Sequence, residues 1–123
     1  MIKFKSLKQN NEFLKILKKK KLNTEYFTIY FDKNINNFEK NAKKYLNISF
    51  VMKKKLGNSV KRNKIKRKLK FAVQKTSKIK QLIDLNYTYV IFGKNNVYND
   101  KFSLVLSKVN ETFKKIKQMG AHS

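Results

Sequence analysis

The sequence from Tyr45 to Lys75 reads YLNISFVMKKKLGNSVKRNKIKRKLKFAVQK and predicts a strand, a tight turn and a helix in succession. In the strand, Leu46 and Ile48 alternate with more polar neighbours, as expected when the two faces of a strand differ. Gly57 in the turn permits a backbone conformation that other residues rarely adopt. The helix is expected from Ser59 to Lys75. Its apolar stripe follows helical spacing and consists of Ile65, Leu69, Ala72 and Val73.

The segments on both sides of this unit complete a small α+β domain. The element order α-β-β-α-β-α predicts a single domain over residues 1–118, with a central mixed sheet and helices packed on it, and we expect a disordered tail at 119–123. Residues 76–86 are ambiguous and could extend the helix to about residue 86. The other predicted segments are a helix from Asn11 to about Lys19 capped by Asn10, a strand from Tyr26 to Phe31, a polar loop from Asp32 to Lys44, a strand from Tyr87 to Phe92 and a last helix capped by Asp100.

Charge is the most informative part of the composition. Lys and Arg number 31 against seven Asp and Glu, a net charge of +24 over 123 residues. Base composition of the genome can account for some of the lysines, but not for the shortage of carboxylates. Such an excess repels itself unless a polyanion screens it, and RNA, DNA and an anionic membrane surface are the candidates. No apolar run is long enough to span a membrane, no secretory signal is evident and there is no Cys. The simplest interpretation is a cytoplasmic protein that binds nucleic acid.

The charge is concentrated on the helix predicted from Ser59. Of the ten residues from Lys61 to Lys70, eight are basic or Asn, and the segment has no carboxylate. An ordinary solvated helix face mixes charges of both signs. Lysine offers phosphate a point charge, arginine offers a bidentate fork, and Asn63 adds a neutral hydrogen bond to a sugar or base edge. This pattern predicts a helix face that binds a phosphate backbone.

The same segment resembles the signature of the bacterial ribonuclease P protein family, a K-K-x-G-N-A-V turn followed by R-N-R-x-K-R on a helix. Ser59 replaces the small Ala, and Lys64 replaces the second Arg of the triplet, which keeps the charge but loses the fork. Weaker likeness covers almost the whole chain, although the family often has Arg and Gly near Asn47 and Ser49. The residues that match as they stand are Lys54, Lys55, Gly57, Asn58, Val60, Arg62, Asn63, Lys66 and Arg67.

The resemblance implies a fold, a function and two RNA surfaces. The basic helix is expected in a left-handed crossover between parallel strands, which is rare. The protein is expected to bind the catalytic RNA of ribonuclease P and precursor tRNA, and to assist removal of the 5′ leader. The RNA and its Mg²⁺ are expected to perform the reaction, with no cofactor bound tightly by the protein and neither DNA nor a membrane as partner. The residues expected at the catalytic RNA are Lys54, Lys55, Asn58, Arg62, Asn63, Lys64, Lys66, Arg67 and Lys70.

The second implied surface is a cleft between the first helix and the sheet that holds the single-stranded leader. Single strands bind by stacking on aromatic rings along a positive track. The same residues also suit a core: for Phe13 the two interpretations are evenly balanced, whereas the hydroxyl of Tyr30 favours exposure. The residues expected in this cleft are Phe13, Leu17, Thr28 and Tyr30.

The sequence shows no catalytic constellation. Its carboxylates are scattered, and its one histidine is His122, next to the last residue. We therefore expect no catalytic residue in the protein. A structural RNA-binding protein, such as a ribosomal protein, is the alternative, and composition alone slightly favours it. The Gly-Asn turn followed by the basic helix favours the ribonuclease P subunit.

Overall fold

The computed structural model describes residues 2–7, 10–33 and 45–121. In these residues, one five-stranded sheet has the strand order β1-β4-β5-β3-β2. The strands are β1 Lys3–Lys5, β2 Lys20–Asn23, β3 Phe27–Lys33, β4 Tyr45–Val51 and β5 Tyr87–Gly93. The helices are α1 Asn10–Ile16, α2 Ser59–Ser77, α3 Asn96–Asn99 and α4 Phe102–Ala121, and a 3-10 turn spans Lys54–Leu56.

The sheet is mixed, as the sequence predicts. β4 and β5 are parallel neighbours joined through α2, and β1 runs parallel to β4 on its other side. β3 is antiparallel to both β5 and β2. The α+β class and the helix that crosses between parallel strands are thus confirmed, while the left hand of the crossover stays a prediction. β1, β2 and α3 were not predicted, since each is too short to carry a periodic pattern.

The sheet has two different faces, which follow from the alternation along its strands. On the core face, Phe27, Ile29 and Phe31 of β3 are buried in one cluster with the apolar stripes of α2 and α4. Tyr89 of β5 meets Phe113 of α4 edge to face, with ring centroids 5.0 Å apart. The stripe predicted on α2 is completely buried. The opposite face, which we call the α1 face, carries the alternate residues.

Around α1, the observed boundaries differ from the sequence prediction. The helix ends at Ile16 and not at Lys19, because β2 begins at Lys20 and needs the intervening residues as a turn. Asn10 is the first residue of the helix and not the cap before it. The predicted loop from Asp32 to Lys44 loses its first two residues to β3, and its remainder lies outside the described residues.

The second half of the chain also departs from the prediction. α2 ends at Ser77, and turns follow, with Gln81 in the left-handed region at φ 62°, so the helical extension to residue 86 is wrong. Asp100 does not cap α4. It follows α3, and its carboxylate accepts a hydrogen bond from the Tyr26 hydroxyl at 2.6 Å. This hydrogen bond, with burial, raises the pKa of Tyr26 to about 12. α4 continues to Ala121 and takes in the first three residues of the predicted tail.

Candidate nucleic-acid interface

The turn before α2 fixes where the basic helix begins. Gly57 has φ +133°, and a Cβ there would lie 3.0 Å from Cδ of Lys61, so a larger residue would be both strained and crowded. Asn58 caps α2, because its Oδ1 accepts the backbone N–H of Lys61 at 3.0 Å. The sequence analysis placed Asn58 among the residues that contact the catalytic RNA. The structure shows that it first positions the helix, and its contact with RNA stays a prediction.

One side of α2 forms the surface that we call the cationic face. A helix advances about 100° per residue, so residues three, four, seven or eight positions apart lie on the same side of the helix. Arg62 is half-buried and the other members are exposed. The Nε atom of Arg62 is buried and has no hydrogen-bond partner among the described residues. The members of the cationic face are Arg62, Asn63, Lys66, Arg67 and Lys70.

Nothing in the described chain neutralises this face. The ion pairs formed between described residues join Lys108 to Glu25 and to Glu111, and none of these three residues lies on α2. The first turn of α2 carries no acidic residue, so the positive end of the helix dipole adds to the field. Lys54 and Lys55 are exposed in the 3-10 turn that precedes the helix. The arrangement therefore attracts anions and supplies no internal partner for its charges.

Lys64 lies at the edge of the cationic face, three residues before Arg67, and it also borders the flank of α2 that carries Lys61 and Lys68. Lys61 places its Nζ 5.2 Å from the centre of the Tyr98 ring, and Lys68 donates a hydrogen bond to the backbone carbonyl of Asp100. The sequence analysis placed Lys64 among the residues that contact the catalytic RNA, and this contact stays a prediction.

Three aromatic rings meet on the α1 face of the sheet. The Phe92 ring of β5 lies 6.3 Å from the ring of Phe13 in α1 and 5.6 Å from that of Tyr30 in β3, as measured between centroids. Phe13 and Tyr30 are both half-buried. The contact between α1 and the sheet is therefore aromatic, and it leaves part of each ring accessible. We call this region the α1 cleft.

Polar and charged groups surround these rings. Thr28 pairs with Phe92 across the strands, and its hydroxyl donates to Oδ1 of Asn23 at 2.9 Å. Lys94 also donates to that oxygen. Nζ of Lys53 lies 5.3 Å from the centre of the Phe92 ring. The structure thus brings Phe13, Thr28 and Tyr30 to one face, beside a lysine.

Hydrogen bonds donated by backbone N–H groups hold the segments on both sides of α1. Leu17 is half-buried in the turn after α1, and its N–H donates to the carbonyl of Phe13 at 3.3 Å. Leu7 donates its N–H to Oγ of Ser49 in β4 at 2.9 Å, which ties the segment before α1 to the sheet. Ser49, which stands where the family often has Gly, therefore has a defined structural partner.

Phe92 and Lys53 are the cleft residues that the sequence reasoning missed. The alternation of β5 separates Phe92 from Tyr89 and Ile91 and so signals that it faces away from the core. Its neighbours, however, depend on β5 lying between β3 and β4, which only the folded sheet reveals. For Lys53, one of many lysines in a basic turn, no signal distinguishes it.

In the described part of the chain, no three His, Cys, Asp or Glu side chains lie close enough together to hold a metal ion. None of the helices within residues 2–7, 10–33 and 45–121 is long and apolar enough to cross a membrane.

The fold and the two surfaces define a small, strongly basic α+β protein of the class that binds nucleic acid. The family model for ribonuclease P matches residues 1–117. The ribonuclease P protein component of Mesoplasma florum is 33% identical over 108 residues, which cover 87% of this chain and 90% of that protein. The corresponding component of Mesomycoplasma hyopneumoniae is 32% identical over 119 residues, which cover 96% of this chain and 97% of that protein.

Solved structures show the same fold. The ribonuclease P protein from Thermotoga maritima matches with a TM-score of 0.67 and 25% identity, over 90% of this chain and 96% of that one. The protein from Staphylococcus aureus matches with a TM-score of 0.63 and 22% identity, over 91% of this chain and 94% of that one. The chain therefore belongs to the ribonuclease P protein family, the protein subunits of ribonuclease P. The family match favours a ribonuclease P subunit over the structural RNA-binding protein, such as a ribosomal protein, that the sequence analysis kept as the alternative.

Proposed function

We propose that this protein binds the catalytic RNA of ribonuclease P and the 5′ leader of precursor tRNA, and so assists endonucleolytic removal of the leader. The observation that carries the proposal is the separation of two unlike surfaces, the cationic face of α2 and the aromatic α1 cleft. A protein that only neutralises a folded RNA needs the first surface and has no use for the second.

The cationic face suits the catalytic RNA. Arg62 and Arg67 can each grip a phosphate with a bidentate fork, and the lysines beside them add point charges. Because these cations have no ion pairs within the described chain, binding costs no broken salt bridge. Neutralised phosphates repel each other less, so the protein should lower the Mg²⁺ concentration that the RNA needs.

The α1 cleft suits a single strand. Phe13, Tyr30 and Phe92 offer ring surface on which unpaired bases can stack, and Lys53 provides a cation for the adjoining phosphate. A duplex keeps its bases stacked on each other and cannot use the rings in this way. The unpaired leader of precursor tRNA is therefore the ligand that this cleft fits, and mature tRNA lacks it.

We assign the hydrolysis itself to the RNA and to Mg²⁺ ions that it holds. The part played by the protein is to bind, to orient the leader and to reduce electrostatic repulsion. The partners are thus the catalytic RNA and precursor tRNA, without DNA or a membrane, and we expect the complex in the cytoplasm.

A cleavage assay with purified protein, catalytic RNA and precursor tRNA tests the proposal. We expect the protein alone to cleave nothing, and the protein with the RNA to cleave efficiently at Mg²⁺ concentrations where the RNA alone is slow. Metal-dependent cleavage by the protein alone, abolished by changing a single carboxylate, would overturn the division of labour. A protein that binds the RNA without changing the rate would contradict the assisting role.

A further inference from the structure

The flank of α2 that adjoins the cationic face at Arg67 carries a second group of aromatic and basic residues. At spacings of three and four residues, four lysines and one phenylalanine form a stripe along the helix, next to α3 and α4. Phe71 is 50% exposed and Tyr98 is 41% exposed. We call this surface the aromatic shoulder. Its members are Lys61, Lys64, Lys68, Phe71 and Lys75 of α2, Tyr98 of α3 and Phe102 of α4.

Each exposed ring of the shoulder is held next to an ammonium group. Nζ of Lys75 lies 5.1 Å from the centre of the Phe71 ring, and Nζ of Lys61 lies 5.2 Å from that of Tyr98. The Phe71 ring also packs at 5.2 Å and 40° on the ring of Phe102, which fixes its orientation from below. The shoulder therefore presents two exposed rings, each with a lysine ammonium over it, and a base that stacks on the ring takes the place of this ammonium.

Exposed apolar side chains are common when they are scattered singly, and those need no explanation. The shoulder differs because both exposed rings have a lysine in contact and no described carboxylate pairs with those lysines. Asp100 is the acidic residue joined to this region, through its backbone carbonyl and Lys68, and its carboxylate accepts the hydroxyl of Tyr26. The charge of the shoulder is therefore positive and available to a ligand.

We propose that the aromatic shoulder is a third RNA surface, on which unpaired bases stack while Lys61, Lys64 and Lys75 contact the phosphates. A ring with an adjoining cation is the combination that binds single-stranded RNA without sequence preference. A second copy of the chain does not fit, because each copy carries +24. The inference rests on the proposed function only in taking RNA as the ligand, since the shoulder is distinct from both the cationic face and the α1 cleft.

The chain has no tryptophan, so Phe71→Trp introduces a single fluorescent reporter on the shoulder. The probes are a short oligoadenylate and an abasic oligomer of equal length, both at low salt. We expect the oligoadenylate to quench the tryptophan emission through stacking, and the abasic oligomer to bind without quenching. If bound oligoadenylate leaves the emission unchanged, the shoulder is not a stacking surface. An emission change that depends on protein concentration without RNA would also overturn the proposal, in favour of contact between copies.

Tyr98→Trp supplies an independent reporter if the first variant does not fold, as judged by thermal melting. A second measurement uses the Tyr30→Ala background, in which the α1 cleft holds the oligomer less tightly. There, Phe71→Leu keeps an apolar contact with Phe102 but removes the ring, and it should weaken oligoadenylate binding about tenfold. Leu104→Ala is the matched control, because Leu104 is 52% exposed on α4 and lies outside the shoulder. It should bind as the parent does, and equal losses in the two variants would sink the inference.

Failure here is distinguishable from failure of the proposed function. If Phe71→Leu does not change oligoadenylate binding while Arg67→Ala still weakens binding to the catalytic RNA, the shoulder is not an RNA surface, and the proposal for the cationic face stands. If the unmodified protein does not bind the catalytic RNA while oligoadenylate still quenches Phe71→Trp, the proposed function fails and the shoulder stands.

Discussion

The core face and the α1 face of the sheet are made from the same strands, yet they differ in how far their side chains are buried. In β3, Phe27, Ile29 and Phe31 are almost completely buried, whereas Thr28 and Tyr30 between them are only half-buried. The core face is covered by α2 and α4, of 19 and 20 residues, and the other face by α1, of seven. A short helix leaves ring surface accessible. The comparison teaches that the size of the covering element decides which face stabilises the fold and which one is available to a ligand.

The largest expected effect lies on the core face. Ile29→Ala should lower the free energy of unfolding by about 2–5 kcal/mol, because it opens a cavity in a fully buried cluster. Thr28→Ala, one residue away on the α1 face, should cost about 1 kcal/mol, mainly for the hydrogen bond to Asn23. Urea unfolding of both variants measures the difference. Similar losses for the two would mean that the faces are not distinct.

The next effect concerns the cationic face. Replacing both Arg62 and Arg67 with Ala should weaken binding to the catalytic RNA by about 3 kcal/mol, as charge-assisted contacts are lost. The slope of log affinity against log salt should also fall by about 2, one for each phosphate contact. The parent should lose affinity on the order of a thousandfold between about 50 and 200 mM salt. A nearly flat salt dependence of the parent would count against an interface dominated by phosphate.

A smaller effect is expected in the α1 cleft. Tyr30→Ala should leave assembly with the catalytic RNA intact. It should weaken binding to precursor tRNA by about 1–3 kcal/mol, which is the free energy that one stacked base contributes. Mature tRNA should bind as before. Thermal melting is the control, since a large loss of stability would show that Tyr30 belongs to the core. Unchanged binding of precursor tRNA would remove Tyr30 from the cleft.

The smallest effect is a dependence of stability on pH. The hydrogen bond to Asp100 raises the pKa of Tyr26 to about 12, from an ordinary value of 10.0. A raised pKa means that the contribution is fully present below pH 10.0 and is lost as the pH rises through about 12. The parent should therefore be more stable than Tyr26→Phe at neutral pH, and this advantage should disappear across that range. An advantage that persists beyond it would show that the hydrogen bond is not responsible.

The long periodic elements could be predicted from the sequence, because their own residues determine them. The apolar stripes of α2 and α4 and the alternation of β3, β4 and β5 gave boundaries close to the observed ones. β1 and β2 lie at the two edges of the sheet and owe their existence to pairing with β4 and β3. Pairing between distant segments leaves no local pattern, so these strands were missed.

The residues of the candidate interface likewise separate into those that the sequence could predict and those that needed the folded structure. The motif led to α2, but two of its residues needed the geometry of the helix: Asn58 is the cap, and Lys64 lies on the aromatic shoulder. The cap could have been recognised from the preference of Asn for that position. Phe92 joins Phe13 and Tyr30 only because β5 pairs with β3. Contacts that depend on strand order were beyond the sequence.

The most direct test of the account is whether the help that the protein gives depends on the leader. The stimulation of cleavage by the protein, at low Mg²⁺ and with excess catalytic RNA, should be measured for precursor tRNA with a full leader and with a leader cut to one nucleotide. Two surfaces with separate ligands predict strong stimulation for the full leader and a much smaller one for the short leader. With Tyr30→Ala, the two substrates should become more alike. Equal stimulation of both substrates by the parent protein would contradict the claim that the α1 cleft holds the leader.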